Sequence, residues 1–167
     1  MIRRAALLPL ALALAPMLTG CGLSPMYAGG SNGMVAQRLS GIDVLPIEGR
    51  AGWLVRNALN DRLPDGGGTA QYRLQIVLDD QLEGLGLLAD ETVGRERRTL
   101  RARYQLIDAA TGTIVLDATA GADAGIDVVS SEYATVAAEE TALENLAKEV
   151  ADRIVTRLAL ELRDPAP

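Results

Sequence analysis

The sequence predicts an α+β fold, a two-layer sandwich in which two helices pack on one face of a four-stranded, mostly antiparallel sheet. Residues 71–78 and 95–107 alternate apolar and polar side chains, as half-buried strands do. Residues 131–163 instead repeat apolar side chains at the spacing of one helix face. The element order strand, helix, strand, strand, strand, helix gives each layer a hydrophobic face to bury against the other.

The first strand and the first helix are predicted at the start of the folded body. Residues 42–47 form a short apolar-rich run, which is typical of a strand. Residues 50–63 place four apolar side chains at helical spacing and polar ones elsewhere, which predicts an amphipathic helix. The apolar positions are Leu54, Val55, Ala58 and Leu59. A Pro-Asp-Gly-Gly-Gly run at 64–68 ends this helix.

Three consecutive strands are predicted to follow as an antiparallel meander. The first has Tyr72, Leu74, Ile76 and Leu78 on one face. Residues 84–93, interrupted by glycine, are expected to form a hairpin loop into which the strands could continue. The second strand has Arg98, Leu100, Ala102, Tyr104 and Leu106 on one face. After a turn at 108–112, residues 113–120 form the third strand, with Ile114, Leu116 and Ala118 inward.

A long C-terminal helix is predicted after a loop at 121–130. Its span, 131–163, carries an apolar stripe, and Asp164-Pro165 ends it. The stripe needs a partner, and the apolar face of the sheet is the available one. Its members are Val136, Leu143, Leu146, Ala147, Val150, Ile154, Val155 and Leu158.

The N-terminus has the pattern of an export signal that ends at Cys21. Arg3 and Arg4 precede an Ala- and Leu-rich stretch that is too short for a comfortable transmembrane helix. Leu18-Thr19-Gly20-Cys21 is similar to the lipobox of bacterial lipoproteins, which implies acyl chains on Cys21 after removal of residues 1–20. Several acyl chains hold a protein firmly on a membrane. Residues 21–40 are then expected to be a lipidated tether, and residues 41–164 a single domain.

Composition excludes several classes of function. The chain has 167 residues, a formal net charge of −6, no histidine and one cysteine. Without histidine or a free thiol, Ser-His-Asp and Cys-His catalysis and most zinc sites are excluded, so we expect no metal site and no cofactor. Carboxylates, arginine, tyrosine and hydroxyl groups remain available for chemistry. Loss of Arg3 and Arg4 with the signal makes the exported chain more acidic, which argues against nucleic acid as a partner.

Four arginines on one strand are the main candidate binding residues. The alternation of residues 95–107 places them on the polar face, with successive same-face residues about 7 Å apart. Arginine binds phosphate and carboxylate groups through paired hydrogen bonds. The row could therefore contact phosphate or carboxylate groups of a ligand or partner, or it could be a solvated face balanced by Asp79, Asp117 and Asp123. The four are Arg95, Arg97, Arg101 and Arg103.

Other chemistry-bearing residues favour structural roles. The paired acids at 79–80, 90–91 and 139–140 cannot converge, because neighbours on a strand or a helix point in different directions. The glycine-rich pieces at 65–68 and 84–86 lack the features of a phosphate-binding loop. Trp53 and Tyr133, near predicted helix starts, are expected to pack in the fold rather than to contact a ligand.

Short motifs along the exported chain resemble the alphaproteobacterial LptE family of lipopolysaccharide (LPS)-assembly lipoproteins. The start Cys21-Gly22-Leu23-Ser24-Pro25-Met26-Tyr27 is similar to that family's Cys-Gly-Phe-x-Pro-Leu-Tyr, with Leu23 and Met26 as conservative departures. Further similar pieces follow in the family's order: Arg56-Asn57-Ala58-Leu59, Tyr72-Arg73-Leu74, an arginine-rich strand that ends at Tyr104, and Tyr133-Ala134.

The resemblance implies a non-enzymatic role in LPS assembly. LptE proteins plug the large outer-membrane barrel LptD, help it fold and help deliver LPS to the outer leaflet, so LptD and LPS are the implied partners. On this resemblance the arginine row would contact LPS phosphates or acidic residues of the barrel wall. Gly22 after the acylated cysteine, where Asp marks inner-membrane retention, suggests the periplasmic side of the outer membrane. Two alternatives remain open: an auxiliary lipoprotein of a periplasmic, ABC-type lipid-transport system and a lipid-anchored hydrolase, and the missing histidine counts against the second.

Overall fold

The computed structural model describes residues 33–64, 66, 68–87 and 93–163. The elements are α1 (Met34–Leu39), β1 (Ile42–Val44), α2 (Gly49–Asn60), β2 (Tyr72–Leu87), β3 (Val93–Asp108), β4 (Ile114–Asp127) and α3 (Glu132–Arg163). The four strands form one sheet in the order β1-β2-β3-β4. Only the β1–β2 pair is parallel, since α2 carries the chain back between these strands. The predicted two-layer α+β architecture is confirmed.

The hydrophobic core lies between the helices and one face of the sheet, the covered face. On β3 the alternation holds as predicted: Leu100, Ala102, Tyr104 and Leu106 are at most 1% exposed. The α3 stripe packs over β3 and β4 and beside α2. The buried members of the α3 stripe include Leu143, Leu146, Ala147, Val150, Ile154, Val155 and Leu158, as predicted. Within the described residues no helix is long and apolar enough to cross a membrane.

The folded body begins before the boundary predicted at residue 41. Met34–Leu39 form α1, and Val35, Ala36 and Leu39 are buried against the core. The Arg38 guanidinium donates a hydrogen bond to the Leu162 carbonyl and ties α1 to the end of α3. The prediction of a tether through residue 40 is therefore wrong for its last residues, because three apolar side chains at helical spacing interrupt the Gly- and Ser-rich composition. Cys21 and the predicted signal lie outside the described residues.

The three long strands extend further than the sequence suggested. β2 and β3 remain paired to Leu87 and Val93, so residues 84–87 and 93 of the predicted hairpin loop belong to the strands, and residues 88–92 lie outside the described residues. Residues 121–127 were expected to be a loop, but they continue β4 and pair with β3 as far as Asp127. A register shift between Leu106 and Ile107 turns Ile114 outward. Its side chain is 51% exposed, whereas it was predicted to point inward.

Three side chains near the helix starts are exposed rather than packed. Trp53 is 61% exposed and Tyr133 86% exposed, so the expectation that they pack in the fold is wrong. Val136, which was predicted to belong to the buried stripe of α3, is also exposed, and the neighbouring Thr135 is buried instead. The Thr135 hydroxyl accepts a hydrogen bond from the Val129 amide at 3.3 Å, so the buried side chain joins the helix start to the preceding loop.

Candidate functional site

The candidate site is the open face of the sheet, formed by the outward side chains of β2, β3 and β4 on the side away from the helices. Alternation along β3 places all four predicted arginines on it: Arg95, Arg97, Arg101 and Arg103 are exposed, while the residues between them, apart from Thr99, point to the covered face. The two flanking strands contribute acids in the corresponding rows. These acids are Asp79 and Glu83 on β2 and Asp117, Asp123 and Asp127 on β4.

Two of the four arginines are occupied by ion pairs with β4. The Arg95 Nε lies 3.0 Å from the Asp127 Oδ1, and both side chains are well exposed. Arg103 makes a two-point contact with Asp117, with Nη2 to Oδ2 at 2.9 Å and Nε to Oδ1 at 3.2 Å. Hydrogen bonds from Arg103 and then from Gln105 hold the pKa of the Asp117 carboxyl below its ordinary value.

The other two arginines, Arg97 and Arg101, have no ion-pair or hydrogen-bond partner among the side chains that the structure describes. Their positions on β4 explain this, because Arg97 lies opposite Gly125 and Arg101 opposite Gly121. A Cβ atom at Gly121 would lie 3.2 Å from the Arg101 Cγ, so the glycine leaves room for the arginine stem to lie across β4. On β2, Glu83 lies opposite Arg97 and Asp79 lies opposite Arg101, and neither acid forms an ion pair with its arginine.

Arg101 lines a shallow groove of about 350 Å³ on the open face. Val77 and Asp79 form its β2 side, Arg103 its end, and Gly121 its β4 floor. Val77 is 65% exposed and gives the groove an apolar wall next to a guanidinium. An anionic group with an adjacent apolar part fits this combination, since a free guanidinium offers paired donors to phosphate or carboxylate.

Charge on the open face is balanced as a whole but not locally. Asp117 neutralises Arg103, as the solvated-face alternative predicted, whereas Asp79 and Asp123 form no ion pair within the described part of the chain. Asp127, which that alternative did not include, pairs with Arg95. Arg97 and Arg101 therefore stay unpaired within the described residues, although Glu83 and Asp79 lie opposite them on β2. The exposed pairs of Arg95 and Arg103 contribute little to stability.

An ion pair on the covered face was not predicted. Arg98 contacts Asp80 at two points, Nε to Oδ1 at 2.9 Å and Nη2 to Oδ2 at 2.7 Å, and its Nη1 donates to the Glu139 carbonyl at 3.2 Å. The two side chains are only 15% and 25% exposed. Arg98 therefore joins β2, β3 and α3. Its place among the apolar positions of β3 was the available signal, since an arginine at a core position requires an acidic partner.

The acidic side chains do not assemble a metal site in the described ranges. Asp79 and Asp80 point to opposite faces of β2, as their adjacency predicted: Asp79 receives hydrogen bonds from Gln81 and Asp80 binds Arg98. Glu96 and Glu139 do approach each other at the start of α3. Burial and the neighbouring Glu139 raise the pKa of the Glu96 carboxyl. The proximity of the two carboxyl groups therefore destabilises the fold and does not form a set of metal ligands.

A family model for lipopolysaccharide assembly, LptE, matches residues 39–158, which is most of the chain and all of the sheet. The chain belongs to the LptE family. Among curated proteins no relative matches. The crystal structure of a Caulobacter crescentus CB15 protein described as a lipoprotein is 28% identical, with a TM-score of 0.63 over 77% of this chain and 96% of that one.

More distant solved structures share the LptE fold. The rare lipoprotein B of Shewanella oneidensis is 15% identical with a TM-score of 0.50, over 73% of this chain and 100% of that chain. The lipoprotein B of Nitrosomonas europaea is also 15% identical, with a TM-score of 0.54 over 71% of this chain and 79% of that one. LptE is a family of non-enzymatic LPS-assembly lipoproteins.

Proposed function

We propose that this chain is an outer-membrane lipoprotein, acylated at Cys21, that assists LPS assembly as the plug and partner of the LptD barrel. The family match over residues 39–158 carries the proposal. The lipobox-like sequence at 18–21 supports lipidation, and Gly22 supports the outer membrane. The open face supports contact with anionic groups, because Arg97 and Arg101 lie free at its centre.

Partnership is tested by isolating the acylated chain from detergent-solubilised membranes through a C-terminal tag and identifying what accompanies it. Recovery of a large outer-membrane barrel in fixed proportion is the expected result. A Cys21→Ala variant, which cannot be acylated, is the matched control for membrane attachment. Recovery of an inner-membrane ATPase complex instead of a barrel would refute the proposal in favour of a lipid-transport auxiliary.

Direct LPS binding is tested at Arg97 and Arg101. Both change to Gln in separate variants and together, since Gln keeps the stem and removes the charge. Each arginine–phosphate contact is worth roughly 1.5 kcal/mol or more, so each single variant should weaken LPS capture about tenfold. Arg97 and Arg101 are four residues apart on one strand, so their Cα atoms lie about 13 Å apart. A ligand with two phosphates can therefore contact both side chains.

Two arginines on the same strand and face serve as matched controls. Arg95→Gln and Arg103→Gln remove guanidiniums that Asp127 and Asp117 already hold, so their effect on capture should be smaller. LPS stripped of its phosphates should bind the native chain and all five variants alike. Equal losses at the paired and the free arginines would mean that general positive charge, rather than the two free side chains, determines binding.

A further inference from the structure

Among the described residues, no strand pairs with the outer edge of β2 over most of its length. β1 pairs only with Tyr72, Arg73 and Leu74, and the last bond of this ladder runs from the Leu45 amide to the Leu74 carbonyl at 3.0 Å. Pro46 follows, and the chain turns away into α2. β2 itself continues to Leu87 with β3 on its other side. Within the described part of the chain, a long edge beyond Leu74 is therefore unpaired.

The alternation of the ladder identifies the backbone groups at this edge. Tyr72 and Leu74 direct their amide and carbonyl groups toward β1, whereas the Gln71 carbonyl accepts a hydrogen bond from the Ala109 amide on the β3 side. Every second residue of β2 therefore faces outward. No described residue bonds to these groups beyond Leu74. The outward positions are Ile76, Leu78, Asp80, Leu82 and Gly84.

The other edge of the sheet is protected, which makes the contrast informative. At the middle of β4 the Arg153 guanidinium of α3 donates a hydrogen bond to the outward Gly121 carbonyl. Glu149, one helical turn before Arg153, forms an ion pair with the same guanidinium. Proteins commonly cover free edges with charged side chains in this way, because an uncovered edge pairs with other strands. Among the described residues β2 has no equivalent cover.

The side chains around the β2 edge indicate which strand would fit there. On the open face, charge alternates from strand to strand: acids on β4, arginines on β3, and Asp79 and Glu83 on β2. The same alternation holds where β1 is present, since Arg73 of β2 lies opposite Asp43. The next strand beyond Asp79 and Glu83 is therefore favoured to carry basic residues, because opposite charges stabilise cross-strand pairs.

On the covered face the same edge is apolar apart from Asp80, which forms the ion pair with Arg98. Leu82 is 44% exposed, and Leu78 is half-buried against the core. A groove of about 500 Å³ lies where the edge begins, between Leu45-Pro46-Ile47 and residues 75–78 of β2. An added strand would lay alternate apolar side chains on Leu78 and Leu82. We propose that the β2 edge from Ile76 to Gly84 binds an extended strand of a partner protein, with basic residues on the open face and apolar residues on the covered face.

The test uses the full acylated chain in detergent micelles and three synthetic peptides of about nine residues, the length of this edge. One alternates Lys and Val, one alternates Glu and Val, and one is the Lys-Val peptide with a central Pro, which cannot complete a ladder. The Pro peptide nearly matches the charge of the first and therefore controls for attraction to an acidic protein. Affinity and residue-specific amide hydrogen exchange are measured for each peptide.

The Lys-Val peptide should bind and slow exchange at the outward amides, while the amides of Val77 and Asp79, already bonded to β3, should change little. Two lost cross-strand charge pairs should make the Glu-Val peptide bind roughly fivefold or more weakly. The Pro peptide should bind at least as weakly as the Glu-Val peptide. Protection of β4 amides instead, or equal binding of all three peptides, would overturn the proposal. So would a concentration-dependent dimer that protects the β2 amides without any peptide.

Two variants test the site itself. Leu82→Pro removes one outward amide while leaving the β3 ladder, so peptide binding should fall about tenfold. The double variant Asp79→Lys with Glu83→Lys should reverse the preference toward the Glu-Val peptide, which keeps the test decisive even if Leu82→Pro does not fold. Asp123→Lys changes a free acid on β4 and is the matched control. An unchanged preference in the double variant would refute the assignment.

Discussion

The ion pair between Arg98 and Asp80 lies on the covered face, so we expect strong coupling between the two side chains in the free energy of unfolding. Its two-point contact leaves the side chains 15% and 25% exposed, and Arg98 also donates to the Glu139 carbonyl. Removing either partner leaves the other charge poorly solvated. Breaking a fully buried pair costs about 3–5 kcal/mol, so for this pair we expect about 2–3 kcal/mol for Arg98→Ala or Asp80→Ala.

A double-mutant cycle measures the coupling directly. The two single variants and the double variant are compared with the native chain by urea unfolding, followed by far-UV circular dichroism because Trp53 is too exposed to report on the core. The coupling should be about 1.5–3 kcal/mol, and each single variant should lower Tm by roughly 6–10 °C.

The Arg103–Asp117 pair is a matched control for burial. It has the same two-point geometry on a neighbouring strand pair, but its side chains are 66% and 36% exposed. Its coupling should be clearly smaller, because water and salt screen exposed pairs. Equal coupling in the two cycles would show that geometry alone sets the strength of these contacts, and it would refute the assignment of the covered face as the cause.

Two further predictions follow from carboxyl pKa values. Burial and Glu139 raise the pKa of Glu96, so its charge destabilises the fold: Glu96→Gln should raise Tm at pH 7, and the gain should vanish below about pH 4.3, the unfolded value. Glu144→Gln is the exposed control, and a gain independent of pH would contradict the reasoning. Hydrogen bonds from Thr111 lower the pKa of Asp108, so Asp108→Ala should be less stable than the native chain above about pH 3.9, the unfolded value. The difference in stability should be lost as the pH falls further. Titration of the Asp108 carboxyl at or above that pH would contradict the prediction.

The sequence predicted those elements whose side chains differ strongly between the two faces. β3 alternates large apolar and charged residues, so its covered and open faces could be assigned before the structure was known. The buried stripe of α3 was equally distinct. The second half of β4 was missed, because Ala, Gly and Asp in residues 121–127 are typical of loops. Those residues form a strand because β3 offers a free ladder to pair with, which is a tertiary effect.

The site was predicted at the level of residue type but not at the level of pairing. Alternation identified the four arginines, whereas their ion pairs depend on which β4 residue lies opposite each one. Because residues 121–127 were taken as a loop, that register could not be inferred. α1 was missed for a related reason, since its six residues carry no hydrogen-bonded side-chain cap and are helical through burial against α3.

The register of β4 also explains why free arginines persist on the open face. Moving β4 by two residues in either direction would place Asp123 or Asp127 opposite Arg97, in place of Gly125. The observed register instead sets Tyr104 opposite Ala118 and Leu100 opposite Ala122 on the covered face, where large side chains meet small ones under α3. The observed register leaves Arg97 and Arg101 opposite glycines, with their guanidiniums available to an anionic partner.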